Sequence, residues 1–443
     1  MPKAASSSDR VRPDFIPAED YASAEFALLE KERLWPRVWQ VACRAEQLPN
    51  VGDQFIYEIC DESILIIRTS EDKFSAFYNA CPHRGRQLVT SPRRAKQIVC
   101  PFHGWRFTLE GRCNHVPYRE NWDGKLDDDE IGLSPVKCDV WGGFIFITLD
   151  PDSEPLLDFL GEAAERLDPY QFDKQRLRWA AGVDTDANWK LALEAFNEAY
   201  HVQTTHPQLL PFFDDRTEGN AAGRHGYLRR AATAGGLGAP STILKTPPPD
   251  DVRPIVLEYM RQMVFDVRSI FSERDMAAAA RIMSELPKEA TAQEAVAAAM
   301  QFRKEAAIAA GVGWPDITPQ QMAENGSVWH IFPNLIVLTG PSASLWYRAR
   351  PIGKGEDPER CIFEFWALER YAPDYSPEVT PEHYTDWKDF ANLPPFLIQD
   401  FENIPHMQKG VRSRGFRGAR TNPVQEKIIT NFHANVRQMV GKE

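Results

Sequence analysis

The stretch "CPHRGRQLVTSPRRAKQIVCPFHGW", residues 81–105, gathers two cysteines and two histidines into two short pairs. Cys81 and His83 form a Cys-x-His pair, and Cys100 and His103 form a Cys-x-x-His pair. Sixteen residues lie between His83 and Cys100, so each pair is expected on its own loop. Two such pairs predict one site with four metal ligands, because thiolates and imidazoles are the side chains that hold zinc and iron–sulfur clusters.

The distribution of ligand types between the pairs bears on which metal is bound. Zinc fingers place both cysteines in one pair and both histidines in the other, whereas each pair here holds one of each. In a Rieske 2Fe-2S centre, one iron takes two thiolates and the other takes two imidazoles. The mixed pairs favour the iron–sulfur cluster, and a zinc-stabilised binding module is the alternative.

The motifs "CPHRG" and "CPFHGW", followed by "RFTLEGRC", resemble those of the Rieske family. The resemblance implies that Cys81 and Cys100 bind one iron while His83 and His103 bind the other. Imidazole in place of thiolate raises the potential of such a cluster, which suits electron transfer to an oxygen-activating iron. The other cysteines lie outside such Cys-His motifs and are interpreted as small buried side chains: Cys43, Cys60, Cys113, Cys138 and Cys361.

A second group of candidate ligands lies in "NWKLALEAFNEAYHVQTTHPQ", residues 188–208. His201 and His206 are five residues apart, and Glu198 lies one turn before the first histidine. On a straight helix, five residues rotate the side chain by about 140°, so we expect the helix to end or unwind between the histidines. Pro207 favours this break because the residue before a proline avoids the helical region.

The C-terminal segment "PPFLIQDFENIPHMQKG" supplies carboxylates that could complete this group, with Asp400 followed two residues later by Glu402. Two histidines and one carboxylate form the facial triad that holds Fe(II) with open positions for oxygen and substrate. "NWK", the "EAYHV" and "TH" pair and "QDFEN" look like the catalytic domain of Rieske non-haem iron aromatic ring-hydroxylating oxygenases, large (alpha) subunit. The resemblance implies His201, His206 and Asp400 as ligands of a mononuclear Fe(II), with Glu402 as the competitor of Asp400.

The resemblance also gives Glu198 a role between the two metal centres. In the family, a carboxylate at this position hydrogen-bonds the first iron histidine and a Rieske histidine of the neighbouring subunit. Aspartate is usual there, and glutamate occurs in a minority that includes enzymes acting on quaternary amines. The implied electron route runs from a reductase to the cluster, then from His103 through Glu198 to His201. Such a route requires a head-to-tail ring, most simply a homotrimer, to which a small beta subunit could be added.

The pattern of apolar residues predicts an α+β protein in three parts. Residues 1–40 are a tail and a leading helix that packs with the catalytic domain. Residues 41–155 hold short, closely spaced strands and form a small antiparallel β Rieske domain. Residues 156–443 form a larger catalytic domain, an antiparallel sheet covered by helices, with a Gly-, Ala- and Pro-rich loop over 215–250 and helices over 254–311.

Composition restricts the class of protein and its partners. The 443-residue chain is 43% hydrophobic with a net charge of −12, which argues against broad binding of nucleic acid or anionic membranes. No apolar run reaches membrane-spanning length, and seven cysteines without a regular spacing do not suggest disulfides. A cytoplasmic protein is therefore expected.

These observations predict an enzyme, the terminal oxygenase component of a multicomponent Rieske system that depends on NAD(P)H through a separate reductase. Its partners would be a ferredoxin or a flavin reductase, dioxygen and a small apolar or aromatic substrate. We expect cis-dihydroxylation of an aromatic ring, in aromatic hydrocarbon catabolism, with O- or N-demethylation by a monooxygenase as the alternative. A Rieske electron-transfer protein without mononuclear iron is a more remote reading. Candidate residues for an apolar substrate cavity are Phe212, Phe213, Val264, Ile331, Leu335, Val337 and Phe396.

Overall fold

The computed structural model of the protein describes residues 10–442, so most of the predicted N-terminal tail lies outside the described residues. The chain divides into two compact units. The smaller unit comprises Leu28–Phe159 with Gly353–Glu356, and the larger one comprises Leu160–Ile352, Asp357–Glu443 and the chain up to Ala27. The sequence predicts domain boundaries near residues 40 and 155, whereas the boundaries between the two units lie at residues 28 and 160.

The smaller unit is built on a seven-stranded antiparallel sheet. Its strands are rich in Ile, Val, Phe and Tyr, which suit a pleated surface that is buried on at least one face. Four consecutive residues, Ile64 to Ile67, are buried in one of the inner strands. In spatial order the strands are Gln40–Arg44, Phe144–Thr148, Pro135–Trp141, Lys73–Tyr78, Glu62–Ser70, Asp53–Ile59 and Arg93–Arg94.

A second, three-stranded sheet in this unit carries the Cys100–His103 loop, whereas the Cys81–His83 loop lies between the strands Lys73–Tyr78 and Arg93–Arg94 of the seven-stranded sheet. The three-stranded sheet consists of Ile98–Val99, Arg106–Phe107 and Cys113–His115. Short helical turns complete the unit at Glu30–Leu34, Ala45–Gln47, Arg119–Trp122 and, at its boundary, Leu156–Leu160.

The larger unit is built on an eight-stranded sheet whose neighbouring strands are antiparallel except at one edge, where Gln175–Thr185 pairs in parallel with Glu382–Tyr384. The long inner strands are buried along nearly their whole length, which explains their continuous apolar and aromatic sequence. The spatial order is Thr217–Ala222, His225–Arg230, Val328–Ile331, Leu335–Leu338, Ala343–Pro351, Cys361–Arg370, Gln175–Thr185 and Glu382–Tyr384. A two-stranded pairing of Ile16–Pro17 with Gly418–Ala419 lies apart from this sheet.

Helices accompany the larger sheet, and several begin at recognisable sequence signals. Thr291 and Glu294 cap each other at the start of Ala292–Ala309, as Ser272 and Asp275 do at the start of Glu273–Ala279. The other α-helices are Glu19–Ala22, Ala24–Leu29, Glu162–Leu167, Trp189–Glu194, Val202–Thr205, Arg253–Phe265, Ile282–Glu285, Pro319–Asn325, Pro395–Val411 and Lys427–Val440. Single helical turns lie at Asp168–Tyr170, Phe172–Lys174, Pro207–Leu209, Thr242–Leu244 and Trp387–Asp389.

The predicted α+β class, a small β domain beside a larger domain with an antiparallel sheet and helices, is confirmed. Two local predictions differ from the structure. The predicted loop over 215–250 contains a β-hairpin, Thr217–Ala222 with His225–Arg230. The helix Trp189–Glu194 ends well before His201, which shortens the long helix that the sequence pattern favours. Within the described residues, the helices include none with the length and apolar character needed to cross a membrane.

Candidate redox and metal sites

The two loops of the smaller unit have the same backbone construction. In the first, the amide of Cys81 donates to the carbonyl of Arg86 at 2.9 Å, and the amide of Gly85 donates to the carbonyl of Cys81 at 2.8 Å. In the second, Cys100 donates to the carbonyl of Trp105 at 2.8 Å and Gly104 donates to the carbonyl of Cys100 at 3.0 Å. The closing glycines have φ of +71° and +75°, a region in which residues with a Cβ are strained.

The imidazoles of these loops converge through the same ring atom. Nδ1 of His83 lies 3.1 Å from Nδ1 of His103, and the ring of Trp105 stacks on His83 with centroids 5.0 Å apart. Two nitrogens that bind one ion at about 2.1 Å lie on the order of 3 Å apart. One metal ion could therefore take both Nδ1 atoms.

The thiols lie deeper than the imidazoles. Cys81 and Cys100 are 2% and 1% exposed and belong to an apolar core that includes Trp105 and Phe107. Burial raises the pKa of Cys81 to about 11, and the neighbouring thiol of Cys100 adds to this effect. A bound metal would replace this proton and hold the thiolate in an otherwise apolar environment.

The four side chains fit a two-iron cluster better than one zinc ion. Among residues 10–442, only His201, His206 and Asp400 form a set of three or more potential ligands whose atoms all lie within 4.8 Å of one another. The thiol pair and the imidazole pair of the smaller unit do not meet at one point of that size. This separation agrees with a centre in which each pair serves its own iron.

In the larger unit, His201 and His206 stand at the two ends of the one-turn helix Val202–Thr205. His206 leaves the helical region, with φ −123° and ψ 51°, and Pro207 follows it. The break that the sequence predicts between the histidines therefore occurs at His206 itself. Their rings come together with centroids 5.1 Å apart.

Asp400 on the helix Pro395–Val411 completes what we call the metal triad, His201, His206 and Asp400. Its Oδ1 atom lies 3.1 Å from Nε2 of His206 and 3.8 Å from Nε2 of His201. Asp400 is 5% exposed, whereas Glu402 is exposed to solvent. Two residues rotate the side chain by about 200° on a helix, which explains why only one of the two carboxylates reaches the histidines.

The outer nitrogens of both triad histidines have fixed acceptors. Nδ1 of His201 lies 2.6 Å from Oε1 of Glu198, and Nδ1 of His206 lies 2.7 Å from Oε1 of Gln399. Because a carboxylate and an amide oxygen only accept, each Nδ1 carries the proton and each Nε2 presents a lone pair to the centre of the triad. Metal-binding histidines in proteins are oriented by this pattern of hydrogen bonds.

Glu198 makes a second bond that fixes its own position, since Oε2 accepts from the backbone amide of His201 at 3.0 Å. Burial by itself would lower the pKa of His201, but the hydrogen bond and charge of Glu198, with the charge of Asp400, raise it. The side chains around His201 are therefore strongly negative, and a divalent cation would compensate this charge.

A cavity of about 620 Å³ adjoins His201 and Asp400. Within the described chain, its wall does not include the seven residues predicted to line a substrate cavity, although one of them, Phe396, packs against His206 with centroids 5.1 Å apart. The wall instead carries several charged groups. They are Glu194, Glu198, Asp400, Glu426 and Arg420, beside apolar residues such as Leu191, Ile404, Met407 and Phe416.

Three further residues of the site, Gln399, Glu194 and Glu426, are not among those predicted from the sequence. Gln399 precedes Asp400 directly, which is the one local signal that could have indicated it. Burial, followed by the charges of Glu198 and Glu194, raises the pKa of Glu426 to about 7, although its hydrogen bond with Asn422 opposes the shift. The presence of charged groups within a mostly apolar wall is the main difference from the predicted site.

Comparison with known families assigns both parts of the chain. Residues 172–442 match the model of the ring hydroxylating alpha subunit (catalytic domain), and residues 38–135 match the Rieske [2Fe-2S] domain. Over 196 residues the chain is 35% identical to the carnitine monooxygenase oxygenase subunit of Escherichia coli K12, covering 43% of this chain and 52% of the relative. It is 29% identical over 211 residues to the glycine betaine monooxygenase oxygenase subunit of Pseudomonas aeruginosa UCBPP-PA14, covering 47% and 49%. The chain thus spans about half the length of the curated relatives it matches.

Solved structures show the same fold over nearly the whole chain. The quaternary ammonium Rieske monooxygenase CntA in complex with L-carnitine aligns with a TM-score of 0.64 at 20% identity, covering 98% of this chain and 97% of the other. Naphthalene 1,2-dioxygenase aligns with a TM-score of 0.63 at 18% identity, covering 99% and 95%. The matched domains imply a Rieske 2Fe-2S cluster and a mononuclear iron, which confirms both predicted cofactors.

Proposed function

Because the chain belongs to the family of Rieske oxygenase alpha subunits, we propose that it is a terminal oxygenase that hydroxylates a quaternary ammonium compound at a carbon next to nitrogen. This reaction corresponds to the N-dealkylating alternative of the sequence analysis rather than to cis-dihydroxylation of an aromatic ring. In our assignment, residues 41–155 are the Rieske domain and residues 156–443 the catalytic domain. Cys81, His83, Cys100 and His103 hold the cluster, and His201, His206 and Asp400 hold the iron.

The similarity to oxygenase subunits named for carnitine, glycine betaine and choline carries the choice of substrate class. The charge of the cavity agrees with it. In its mostly apolar wall, Asp400 would be balanced by the iron and Glu194 lies 2.5 Å from His433, so Glu198 and Glu426 are the carboxylates available to a cation. The guanidinium of Arg420 is exposed to solvent. A trimethylammonium group combines a positive charge with an apolar surface, and it suits such a cavity better than a neutral aromatic ring does.

The metal supplies the oxygen chemistry when it is bound, and the protein residues prepare its surroundings. Glu198 and Gln399 hold the two imidazoles so that both Nε2 atoms face Asp400. The apolar wall residues exclude water from the reacting carbon, and the carboxylates orient the cationic end of the substrate.

Electrons must come from a separate donor, for which we propose a ferredoxin or a flavin reductase. Residues 81–119 contain eight arginines and lysines but only one acidic residue, Glu110, although the whole chain has a net charge of −12. Arg84, Arg86, Arg93, Arg94 and Lys96 are exposed. An acidic donor would be attracted to this part of the smaller unit. We further propose that the cluster delivers electrons to Glu198 of a second copy, in a head-to-tail ring.

The proposed substrate class can be tested with pairs of ligands that differ only in charge. Choline and 3,3-dimethylbutan-1-ol have the same shape, but only choline carries a positive charge. With dioxygen and a reductase, we expect oxidised products and C–N cleavage from choline, carnitine or glycine betaine, and no product from neutral analogues. Oxidation of naphthalene or indole to a cis-diol, without turnover of any quaternary ammonium compound, would restore the aromatic reading.

A further inference from the structure

The cavity wall continues into a buried network that the metal chemistry described above does not use. His433, on the helix Lys427–Val440, is fully buried and hydrogen-bonded through both ring nitrogens. Its Nδ1 lies 2.7 Å from Oδ2 of Asp20, and its Nε2 lies 2.5 Å from Oε1 of Glu194. Glu194 belongs to the wall of the cavity that adjoins the metal triad. An imidazole therefore stands one hydrogen bond away from the cavity.

The charges around His433 favour the imidazolium while the enzyme is at rest. Asp20 and Glu194 are buried carboxylates, and Arg437, which donates to Asp20 at 2.8 and 2.9 Å, supplies one positive charge. Arg437 also donates to Glu19, a half-buried carboxylate that the ammonium of Lys442 approaches to 3.8 Å. With an imidazolium at His433 the four buried groups Asp20, Glu194, Arg437 and His433 are neutral together, and with a neutral imidazole they would hold an uncompensated negative charge. Burial by itself would lower the pKa of His433, but the charge of Glu194 and hydrogen bonds with Asp20 and Glu194 raise it.

Three further titratable groups lie near this network, namely Tyr21, His330 and Glu426. Burial and the charges of Glu198 and Glu194 raise the pKa of Glu426 to about 7, so it loses much of its negative charge near neutral pH. Tyr21 donates its hydroxyl to Oε2 of Glu194 at 3.0 Å, and burial with the charges of Glu194 and Asp20 raises its pKa well above the usual value. His330, on the neighbouring strand Val328–Ile331, is buried, and this burial lowers its pKa to about 3, so that it stays neutral. Glu194 thus has a phenol on one oxygen and a protonated imidazole on the other.

We propose that His433 and Glu194 form a buried proton store that supplies one of the two protons consumed when dioxygen is reduced at the neighbouring metal triad. This inference rests on the proposed function. Hydroxylation of a carbon uses dioxygen, two electrons from the donor and two protons, placing one oxygen atom in the product and releasing the other as water. In the proposed step the Nε2–H bond of His433 breaks, its proton passes to Oε1 of Glu194, and Glu194 releases a proton into the cavity. Water in the cavity returns the proton before the next turnover.

The two residues of the proposed proton store have different positions relative to the cavity. Glu194 faces the cavity, whereas His433 is a positioning residue that acts through Glu194. The same hydrogen bonds could serve only to hold the helices Glu19–Ala22 and Lys427–Val440 against Trp189–Glu194. The tests must therefore measure proton transfer as well as folding. Glu194→Gln keeps an acceptor for Tyr21 but cannot ionise, and His433→Gln removes the titrating ring. His330→Gln is the matched control, because it removes a buried imidazole that stays neutral.

The first test compares stability with pH and needs no substrate. A histidine whose pKa is raised by folding stabilises the protein below its unfolded pKa of about 6.5, and this contribution is lost as pH rises through the folded pKa. The midpoint of thermal unfolding of the metal-loaded wild type should therefore fall relative to that of His433→Gln as pH rises above 6.5. The difference between wild type and His330→Gln should stay constant. A constant difference for His433→Gln as well would show that His433 holds no proton and would overturn the store.

The second test measures turnover with choline, carnitine or glycine betaine in H₂O and D₂O over the same pH range. Glu194→Gln should lower product formation on the order of 100-fold, the usual contribution of general acid–base catalysis, with iron and sulfide content unchanged. His433→Gln should shift the pH profile and increase the solvent isotope effect, while His330→Gln should match the wild type. If all three variants match the wild type with the metals intact, the store is refuted. Absence of turnover in the wild type would count against the proposed function alone, since the stability test would still decide whether His433 stores a proton.

Discussion

Glu198 is the single residue on which the connection between electron supply and iron depends in our account. Both of its carboxylate oxygens are engaged with His201, one at the ring and one at the backbone amide. The carboxylate is hydrogen-bonded to the ring of a proposed iron ligand. Its negative charge therefore affects the basicity of that ring although Glu198 is not itself a ligand. The residue type matters as well, since the resemblance described above implies aspartate as the usual residue at this position and glutamate reaches one methylene further.

Glu198→Gln tests this role. The amide oxygen can still accept from Nδ1 of His201, so we expect the fold, the cluster and the iron to remain. Loss of the charge should reduce product formation about 10- to 100-fold, the usual cost of altering a group that orients a metal ligand. Iron analysis and product assays measure both quantities. Glu402→Gln is the control, because Glu402 lies on the same helix as Asp400 but is exposed, and it should not change activity. Unchanged activity in Glu198→Gln would contradict the proposed role of Glu198.

Among single residues, the sequence indicates the candidate metal ligands more readily than it indicates the residues that hydrogen-bond to them. His201, His206 and Asp400 are recognisable because each belongs to a short motif. Gln399 is not, because its contact with His206 joins positions 193 residues apart and depends on how two ring planes are oriented. The pairing of Asp20 with His433 spans 413 residues and has no local signal in the sequence.

Among the elements, the hairpin Thr217–Ala222 with His225–Arg230 shows why composition misled the prediction. Its glycines indicate a loop, yet they are required by a helix that packs on the strands. A Cβ on Gly219 would lie 3.0 Å from the carbonyl oxygen of Gln425, and one on Gly226 would lie 3.0 Å from the side chain of Ile428. The small residues therefore reflect close packing of a sheet edge and not a flexible segment.

Gly219→Ala tests this explanation through stability. The added methyl group meets backbone atoms that cannot move aside, so we expect the free energy of unfolding to fall by about 1–3 kcal/mol. Gly410→Ala is the matched control, because Gly410 lies in the helix Pro395–Val411 with no heavy atom within 4 Å of the added Cβ. It should instead raise the free energy by about 0.5–1 kcal/mol. Urea unfolding midpoints measure both changes, and equal effects of the two substitutions would show that the hairpin has room for a side chain.

The helix predicted through residues 188–202 shows a second limit at the scale of elements. Propensity favours a continuous helix, but the observed helix stops at Glu194 and residues 195–200 turn before the short helix Val202–Thr205. This turn brings Glu198 and both histidines to the triad. Tertiary requirements of the metal site therefore outweigh local preference at the place where function is located.

For the whole molecule, the sequence predicts the two-domain α+β class because the ligand motifs and the strand patterns are both local. The substrate is different, since it depends on a cavity whose wall combines residues from position 21 to position 429. In our proposal a cationic substrate replaces the aromatic one expected from the sequence, because the mostly apolar wall also carries carboxylates. The similarity to quaternary ammonium oxygenases points in the same direction.

The presence of two different metal centres in one chain is the central claim, and anaerobic purification with iron and sulfide analysis tests it most directly. Electron paramagnetic resonance of the dithionite-reduced protein should be recorded on the same sample. We expect three irons and two sulfides per chain with a Rieske signal, and His206→Ala should lose one iron while keeping that signal. Two irons and two sulfides in the wild type, unchanged after reconstitution with Fe(II), would contradict the account and indicate a Rieske electron carrier.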